Sequence, residues 1–420
     1  MAETLAAAVR RVVVLDDDPT GTQAATDVTV LLDVDPHALA GVLRSERSVY
    51  LQTNSRALSE ADALVLARDI RDAVGEAAHL LGVEIDIVLR GDSTLRGHVF
   101  SESRVFMDDD SVLLFVPAFP EGGRVTRGGL HLVIGPTEVP VGETEFAHDP
   151  VFGFRSSRLA DFVRERTGVE AISLTLDEVR TGGIRPVLLA AAAGSIVVAD
   201  AENADDIRAL AAAVRDTWRD RAVVVRAAAS LAAELAGVAS SAPAPPDALR
   251  TDGPLLVVCG SHTELARAQV AALVELVGPP TQIDTLRALD DPEMEGRRAA
   301  AEEAARIRSR AVRFLTTERD RSPEHGTLAH GAAVMRALAE AARVLAASST
   351  VVVTKGGITA AEVIRTSLGA RTARVLGQVE PGVSIVDAET RSGVVRCLVV
   401  PGNMGGTSIL ADAVRWAEGQ

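Results

Sequence analysis

Val12-Val13-Val14-Leu15-Asp16-Asp17-Asp18-Pro19-Thr20-Gly21-Thr22 decides how this chain is read. Four aliphatic residues, three of them β-branched, predict a strand. The strand breaks at once into three carboxylates and a Pro-Thr-Gly turn. Open α/β sheets collect ligands at the carboxyl ends of their strands, so the position of the aspartates is already a functional address. Three adjacent like charges repel one another and gain nothing structurally unless a cation or a hydroxyl proton meets them.

The pattern recurs outward from this stretch. Short apolar runs at Val49 to Thr53, Ile85 to Leu89, Val112 to Val116, Ile196 to Asp200 and Ala222 to Arg226 alternate with helical patterns such as Ser59 to Val74. In that helix Ser59 is placed to cap, and Ala63, Leu66, Ala67 and Ile70 form the core stripe. The segment SSAPAPPDALRTDGP, between Ala239 and Pro254, carries prolines that sustain neither a helix interior nor a central strand, and reads as a linker. Beyond it come predicted strands at Leu255 to Cys259, Val351 to Thr354 and Val394 to Val400. Predicted helices span Thr263 to Leu276, Pro292 to Arg310, Thr327 to Ala347, Ile358 to Leu368 and Thr407 to Ala417. The expected class is α/β, with two domains, 1–240 and 255–420, each a largely parallel sheet flanked by helices.

Composition narrows the function. With 58 acidic against 43 basic residues and a net charge of -15, the 420-residue chain lacks the basic face that nucleic acid demands. Only Cys259 and Cys397 are present, without metal-ligand spacing and too few for a disulfide framework, which fits a reducing cytoplasm. The Ala-rich start runs straight into the first strand and no stretch reaches roughly 18 apolar residues, so neither a signal peptide nor a membrane span is expected. Nothing in the chain sets its oligomeric state, and a homo-oligomer is compatible with it.

Two further polar clusters follow predicted strands in the first half. Gln52-Thr53-Asn54-Ser55-Arg56 offers hydroxyls, an amide and a guanidinium fork suited to a carboxylate or polyol. Arg90-Gly91-Asp92-Ser93-Thr94-Leu95-Arg96-Gly97 packs two arginines, an aspartate and two hydroxyls between glycines that let backbone approach a ligand. In the second half three strand-to-helix junctions are built from small residues: Cys259-Gly260-Ser261-His262-Thr263, Lys355-Gly356-Gly357-Ile358-Thr359 and Pro401-Gly402-Asn403-Met404-Gly405-Gly406-Thr407. Such junctions turn backbone N–H groups toward phosphate oxygens, and three together favour a nucleotide. Lys355 is the chain's only lysine, and its compact ammonium suits a phosphate as a point charge. There is no P-loop, no G-x-G-x-x-G after the first strand, no H-E-x-x-H and no G-x-S-x-G.

Taken in order, DDPTG at Asp17 to Gly21, TNSR at Thr53 to Arg56, RGDSTLRG at Arg90 to Gly97, PAFPEGGR at Pro117 to Arg124, KGGIT at Lys355 to Thr359 and PGNMGG at Pro401 to Gly406 resemble the four-carbon acid sugar kinase family along essentially the whole chain. The resemblance departs from the family pattern at Pro19, where Leu is usual, and at Arg90-Gly91, where Lys and an apolar residue are usual. It implies a first domain that binds a small sugar acid through Asp17 or Asp18, Arg56, Arg90, Gly91, Asp92 and Ser93. It also implies a second domain that binds ATP through Ser261, Lys355, Gly356, Gly357, Ile358, Thr359, Gly402, Asn403 and Gly405. Mg²⁺ is implied because the charge developing in phosphoryl transfer needs neutralising. Arg56 and Arg90 are expected to meet the acid's carboxylate or hydroxyls. The base must be a carboxylate, Asp17 or Asp18, with Asp92 orienting the substrate; crowding should raise the pKa of one of Asp16 to Asp18, and Arg90 and Arg96 should depress that of Asp92. Two alternatives stay open at this point: an aspartate-nucleophile phosphatase using Asp16 and Asp18, with Lys355 as a phosphate clamp, and a non-catalytic sugar-acid binding protein.

Overall fold

The computed structural model describes residues 10–18, 21–22, 24–240, 242–306, 311–318 and 328–420. Pro19 and Thr20 of the first motif, Ile307 to Arg310 of one expected helix and Thr327 of another lie outside the described residues. The chain divides into two compact units, Met1–Ser240 and Ser241–Gln420.

Within the first unit the strands are β1 Arg10–Asp16, β2 Val28–Leu31, β3 Ser48–Gln52, β4 Glu84–Arg90, β5 Val112–Val116, β6 Arg124–Arg127, β7 Leu130–Ile134, β8 Glu138–Pro140, β9 Ile172–Leu174, β10 Ile196–Ala199 and β11 Val223–Ala227. Eight of them form a parallel sheet in the order β2-β3-β1-β4-β11-β5-β10-β9. The centre is β1, with Leu15 in register with Leu51 on β3 and with Leu89 on β4. Val13 and Val14 are both wholly buried, so both faces of the strand are covered; that is why it reads as an unbroken apolar run. From β1 the chain crosses to β2 and β3 on one side and then to β4 on the other, which puts Asp16 at the point where connections diverge and ligands collect.

The helix over Glu60–Leu81 is capped by Ser59, whose hydroxyl accepts from the Asp62 N–H at 3.2 Å. It outruns the expected end at Val74 because Ala77 continues its buried stripe, and it stops at Gly82, φ +63°. Few aromatics are available, and Phe100, Phe115 and Phe162 are spent together in this core, with centroids 5.4 to 6.0 Å apart. A separate antiparallel sheet, β6-β7-β8, was not legible as strands in the sequence.

The second unit contains β12 Leu255–Cys259, β13 Thr281–Ile283, β14 Val312–Thr317, β15 Val351–Lys355, β16 Thr372–Glu380, β17 Val383–Thr390 and β18 Gly393–Val400. Their order is β13-β14-β12-β15-β18-β17-β16, parallel from β13 to β18 and antiparallel at β17 and β16. The antiparallel pair turns at Gly382, φ +79°, and a second hairpin turns into β18 at Gly393, φ +126°. The expected helix from Ile358 to Leu368 is α-helical only over Gly357–Glu362 and continues as a π-helical turn over Val363–Ser367. No described helix is long and apolar enough to cross a membrane.

Candidate functional site

In the first unit the three polar clusters leave neighbouring strands, β3, β1 and β4, and the backbone ties them together. Thr53 donates to the Asp16 carbonyl through its N–H at 2.9 Å and its hydroxyl at 3.0 Å, and the Asp17 N–H reaches the Arg90 carbonyl at 3.3 Å. Asn54 holds a left-handed φ of +51°, a conformation Asn tolerates, and starts the short turn that presents Arg56.

The side chains interleave cations and anions. Arg90, buried, places Nη1 3.1 Å from Asp16 and 3.8 Å from Asp17. Asp17 is held from the other side by Arg226, 2.7 Å away, which also donates to Glu102 at 2.9 Å; all three are buried. Arg56 pairs with Asp18 and stands 3.6 Å from Asp92, while Asp92 accepts from Arg96 at 2.7 Å and from the Thr94 hydroxyl. Arg96 in turn lies 3.7 Å from Asp149 and stacks over the Phe146 ring. The Ser93 carbonyl accepts from His131 Nε2 at 2.7 Å, and His131 Nδ1 therefore accepts from the Thr126 hydroxyl at 2.9 Å. Burial pulls His131 down to about 4, so it is neutral and fixes the loop that carries Ser93.

Three expectations are corrected by this geometry. Arg90 does not face outward to receive a substrate; it is turned inward onto Asp16 and Asp17. The space beside Gly91 and Gly97 is filled by protein: a Cβ at Gly91 would lie 2.5 Å from the Arg226 guanidinium, and one at Gly97 would lie 3.2 Å from Asp17. The Asp92 carboxyl is indeed low, but Arg56, not Arg90, is the partner. Burial works to raise it, and the charges of Arg56 and Arg96 with the hydrogen bonds from Thr94 and Arg96 outweigh that and hold it well below the usual carboxylate range.

The crowded aspartate with a raised pKa is Asp16, pushed to about 7 by burial first and by Asp17 next, against the pull of Arg90 and Arg56. The folded protein thus keeps a proton that the unfolded chain, with its carboxyl at 3.8, has released. Stability therefore falls as pH rises from about 4 to about 7. Asp16→Asn is expected to flatten that part of the stability–pH profile in urea titrations, and an unchanged slope would assign the proton uptake to another group.

In the second unit the three glycine-bearing junctions leave adjacent strands, with Cys259, Lys355 and Val400 side by side in register. Gly260 N–H donates to the Lys355 carbonyl at 3.2 Å and Gly356 N–H to the Val400 carbonyl at 2.9 Å. Gly356 has φ +112°, and a Cβ there would press on Thr359 at 3.0 Å and Ser261 at 3.3 Å. Thr263 caps the helix Glu264–Val277 and donates to the Gly402 carbonyl at 2.8 Å. Gln269 donates to the carbonyls of Met404, Gly405 and Gly406, which folds Pro401–Gly406 into a fixed loop. Asn403 and Ile358 are exposed at this edge, and Ser261, Gly357, Gly402 and Gly405 are half-buried.

Lys355 is the correction here. It is fully buried, with its ammonium donating to the carbonyls of Pro401 at 2.6 Å and Met404 at 3.1 Å, so it anchors the loop from beneath instead of projecting as a phosphate clamp. Burial lowers it to about 8, opposed by Cys259. Among the described residues no group of three or more His, Cys, Asp or Glu side chains could hold a metal by itself.

Comparison with known proteins bears on both units. Residues 12–235 match a family model described as a sugar-binding N-terminal domain, and residues 256–410 match one described as a nucleotide-binding C-terminal domain. A D-threonate kinase of Bordetella bronchiseptica is 32% identical over 384 residues, covering 90% of this chain and 84% of that protein. The chain belongs to the four-carbon acid sugar kinase family. A second member, a 3-oxo-tetronate kinase of Cupriavidus necator, is 27% identical over 398 residues, covering 85% of this chain and 87% of its own. A solved Salmonella typhimurium protein, provisionally described as a tRNA synthase, shares the fold alone, with a TM-score of 0.72 and 18% identity over 97% of this chain and 99% of that one. Within the sugar kinase frame, Arg226, Glu102, Arg124 and His131 are residues of the first unit that sequence reasoning gave no role. Arg226 left a signal as a lone cation inside the apolar run VVVRA, and Arg124 as the last residue of PAFPEGGR.

Proposed function

We propose that the protein is an ATP- and Mg²⁺-dependent kinase that phosphorylates a hydroxyl of a four-carbon sugar acid. The observation that carries this reading is the division of chemistry between the two sheets, in a chain of this family. One carboxyl edge interleaves aspartates with arginines, and the other aligns three glycine-bearing junctions. Asp18, Arg56, Asp92 and the Ser93 loop are assigned to the acid. Ser261, Gly356, Gly357, Ile358, Thr359, Gly402, Asn403 and Gly405 are assigned to the nucleotide, with Lys355 holding their loop. Mg²⁺ would arrive on the nucleotide phosphates with most of its water retained, while the hydroxyls and backbone N–H groups of the junctions would hold those phosphates.

The phosphatase alternative asks Asp16 to attack phosphorus, yet that side chain is 4% exposed and bonded to Arg90. A binding protein without catalysis leaves the three aligned junctions without use. The test is ADP release and mass detection of phosphorylated acid with ATP, Mg²⁺ and a panel of D-threonate, D-erythronate and 3-oxo-tetronate. Turnover of at least one acid is expected, and background rates across the panel would end the kinase reading.

Lys355→Ala tests the second unit. Each hydrogen bond from a charged group contributes about 1.5–3 kcal/mol, and the variant loses two that hold the Pro401–Gly406 loop. ATP affinity in calorimetric titration should fall by roughly tenfold or more, together with a lower unfolding midpoint. Unchanged ATP affinity would remove Lys355 from the site.

A further inference from the structure

Five arginines reach the carboxyl edge of the first unit, and four of them are spent on protein carboxylates. Arg90 serves Asp16 and Asp17, Arg226 serves Asp17 and Glu102, Arg56 serves Asp18 and Asp92, and Arg96 serves Asp92 and Asp149. Four guanidiniums shared among six carboxylates have no charge to spare for an incoming anion. Arg124 differs. It makes no ion pair among the described residues, its Nη1 donates only to the Gly122 carbonyl, and its buried Nε, like that of Arg90, finds no acceptor. That leaves its Nε–Nη2 edge, the side that meets a carboxylate with two parallel hydrogen bonds, without an acceptor.

The backbone holds Arg124 in place for such a contact. Phe119 and Arg124 exchange hydrogen bonds of 2.8 and 2.9 Å around the turn Pro120–Gly122, and Gly123 closes it at φ +73°. The PAFPEGGR segment therefore delivers one guanidinium from a rigid loop. The β6–β7 hairpin that begins with Arg124 is bonded to the Ser93 loop through Thr126 and His131, which sets it against the acid site, and burial depresses the pKa of Arg124. An unpaired cation in such surroundings gains from an anionic ligand what the protein does not supply.

We propose that Arg124 is the receptor for the substrate's carboxylate and the residue that makes this site prefer an acid to a neutral polyol. This rests on the kinase reading above and deepens it. Arg56 and Arg90, already paired, then organise aspartates and do not carry the acid's charge.

The test compares D-threonate with threitol and D-erythronate with erythritol, each pair differing in the carboxylate. Arg124→Gln is expected to raise KM for the acid by roughly 10- to 100-fold, leave KM for ATP unchanged and erase the preference for acid over polyol. Arg124→Lys should recover part of that preference, because it restores charge without the fork; it also serves as the test should the Gln variant fail to fold. An acid-to-polyol ratio in Arg124→Gln equal to that of the unmodified protein overturns the proposal. If the unmodified protein turns over no acid at all, the kinase reading has failed, and calorimetric binding of D-threonate then decides Arg124 separately. Binding lost in Arg124→Gln supports the receptor, whereas binding retained by that variant, or D-threonate not bound by the unmodified protein, overturns it.

Discussion

Arg226→Ala is expected to cost about 3–5 kcal/mol of stability, because it leaves carboxylates buried without their cation. Arg226 is 2% exposed and lies between Asp17 and Glu102, whose side chains are 3% and 7% exposed. Both hydrogen bonds, of 2.7 and 2.9 Å, come from one planar fork. Gly91 is kept free of a Cβ by that same guanidinium, so the cation shapes the junction after β4 as well as neutralising it. Arg226→Lys should be nearly as damaging, since a single compact ammonium lacks the planar fork whose two nitrogens reach Asp17 and Glu102 separately. The triple variant Arg226→Met, Asp17→Asn, Glu102→Gln should regain most of the loss, because paired buried ions are close to break-even once all are replaced together. Urea unfolding of the three proteins decides the matter. A loss under about 1 kcal/mol for Arg226→Ala would mean that the two carboxylates are solvated or protonated without it.

The same ion chain marks the boundary of what the sequence could say. Alternation of apolar runs with helical stripes announced the sheets, and the polar clusters after β1, β3, β4, β12, β15 and β18 announced their carboxyl edges, because a buried parallel strand must change character where it leaves the core. Ser59 acts as a cap where its spacing suggested, and Thr263, read only as the start of a helix, caps it as well. Pairing across the sheet was not legible. Arg226 meets Asp17 across 209 positions, and Glu102 sits in the short helix Val99–Val105 with nothing local to mark it. Lys355 stood out as a lone lysine, but the direction of its side chain is set by Pro401 and Met404, which arrive from another strand. The strand β16 escaped because its alternately buried positions, Ala373, Val375 and Gly377, include two small residues with little strand preference.

Asp18→Asn is expected to lower kcat by about 10²-fold or more while leaving KM for ATP unchanged. Among the three adjacent aspartates, Asp18 is the one with access: its side chain is 12% exposed, against 4% for Asp16 and 3% for Asp17. Asp16 and Asp17 are buried against Arg90 and Arg226, out of reach of a substrate hydroxyl, whereas Asp18, although paired with Arg56, keeps its exposure. Asp92 shares the exposure of Asp18, but Arg56, Arg96 and Thr94 hold its carboxyl too low to take a proton readily. That environment suits orientation of hydroxyls, and Asp92→Asn should act more on KM for the acid than on kcat. Transfer of a phosphoryl group passes through a loose transition state in which the attacking hydroxyl keeps its proton until late, so a carboxylate that aligns that hydroxyl and receives its proton at the end need not be a strong base. Arg56, paired with Asp18, holds the carboxylate in one orientation for that role. Steady-state kinetics over pH 5 to 9 tests the assignment. An Asp18→Asn protein that keeps kcat within about threefold of the unmodified protein transfers the role of base away from Asp18.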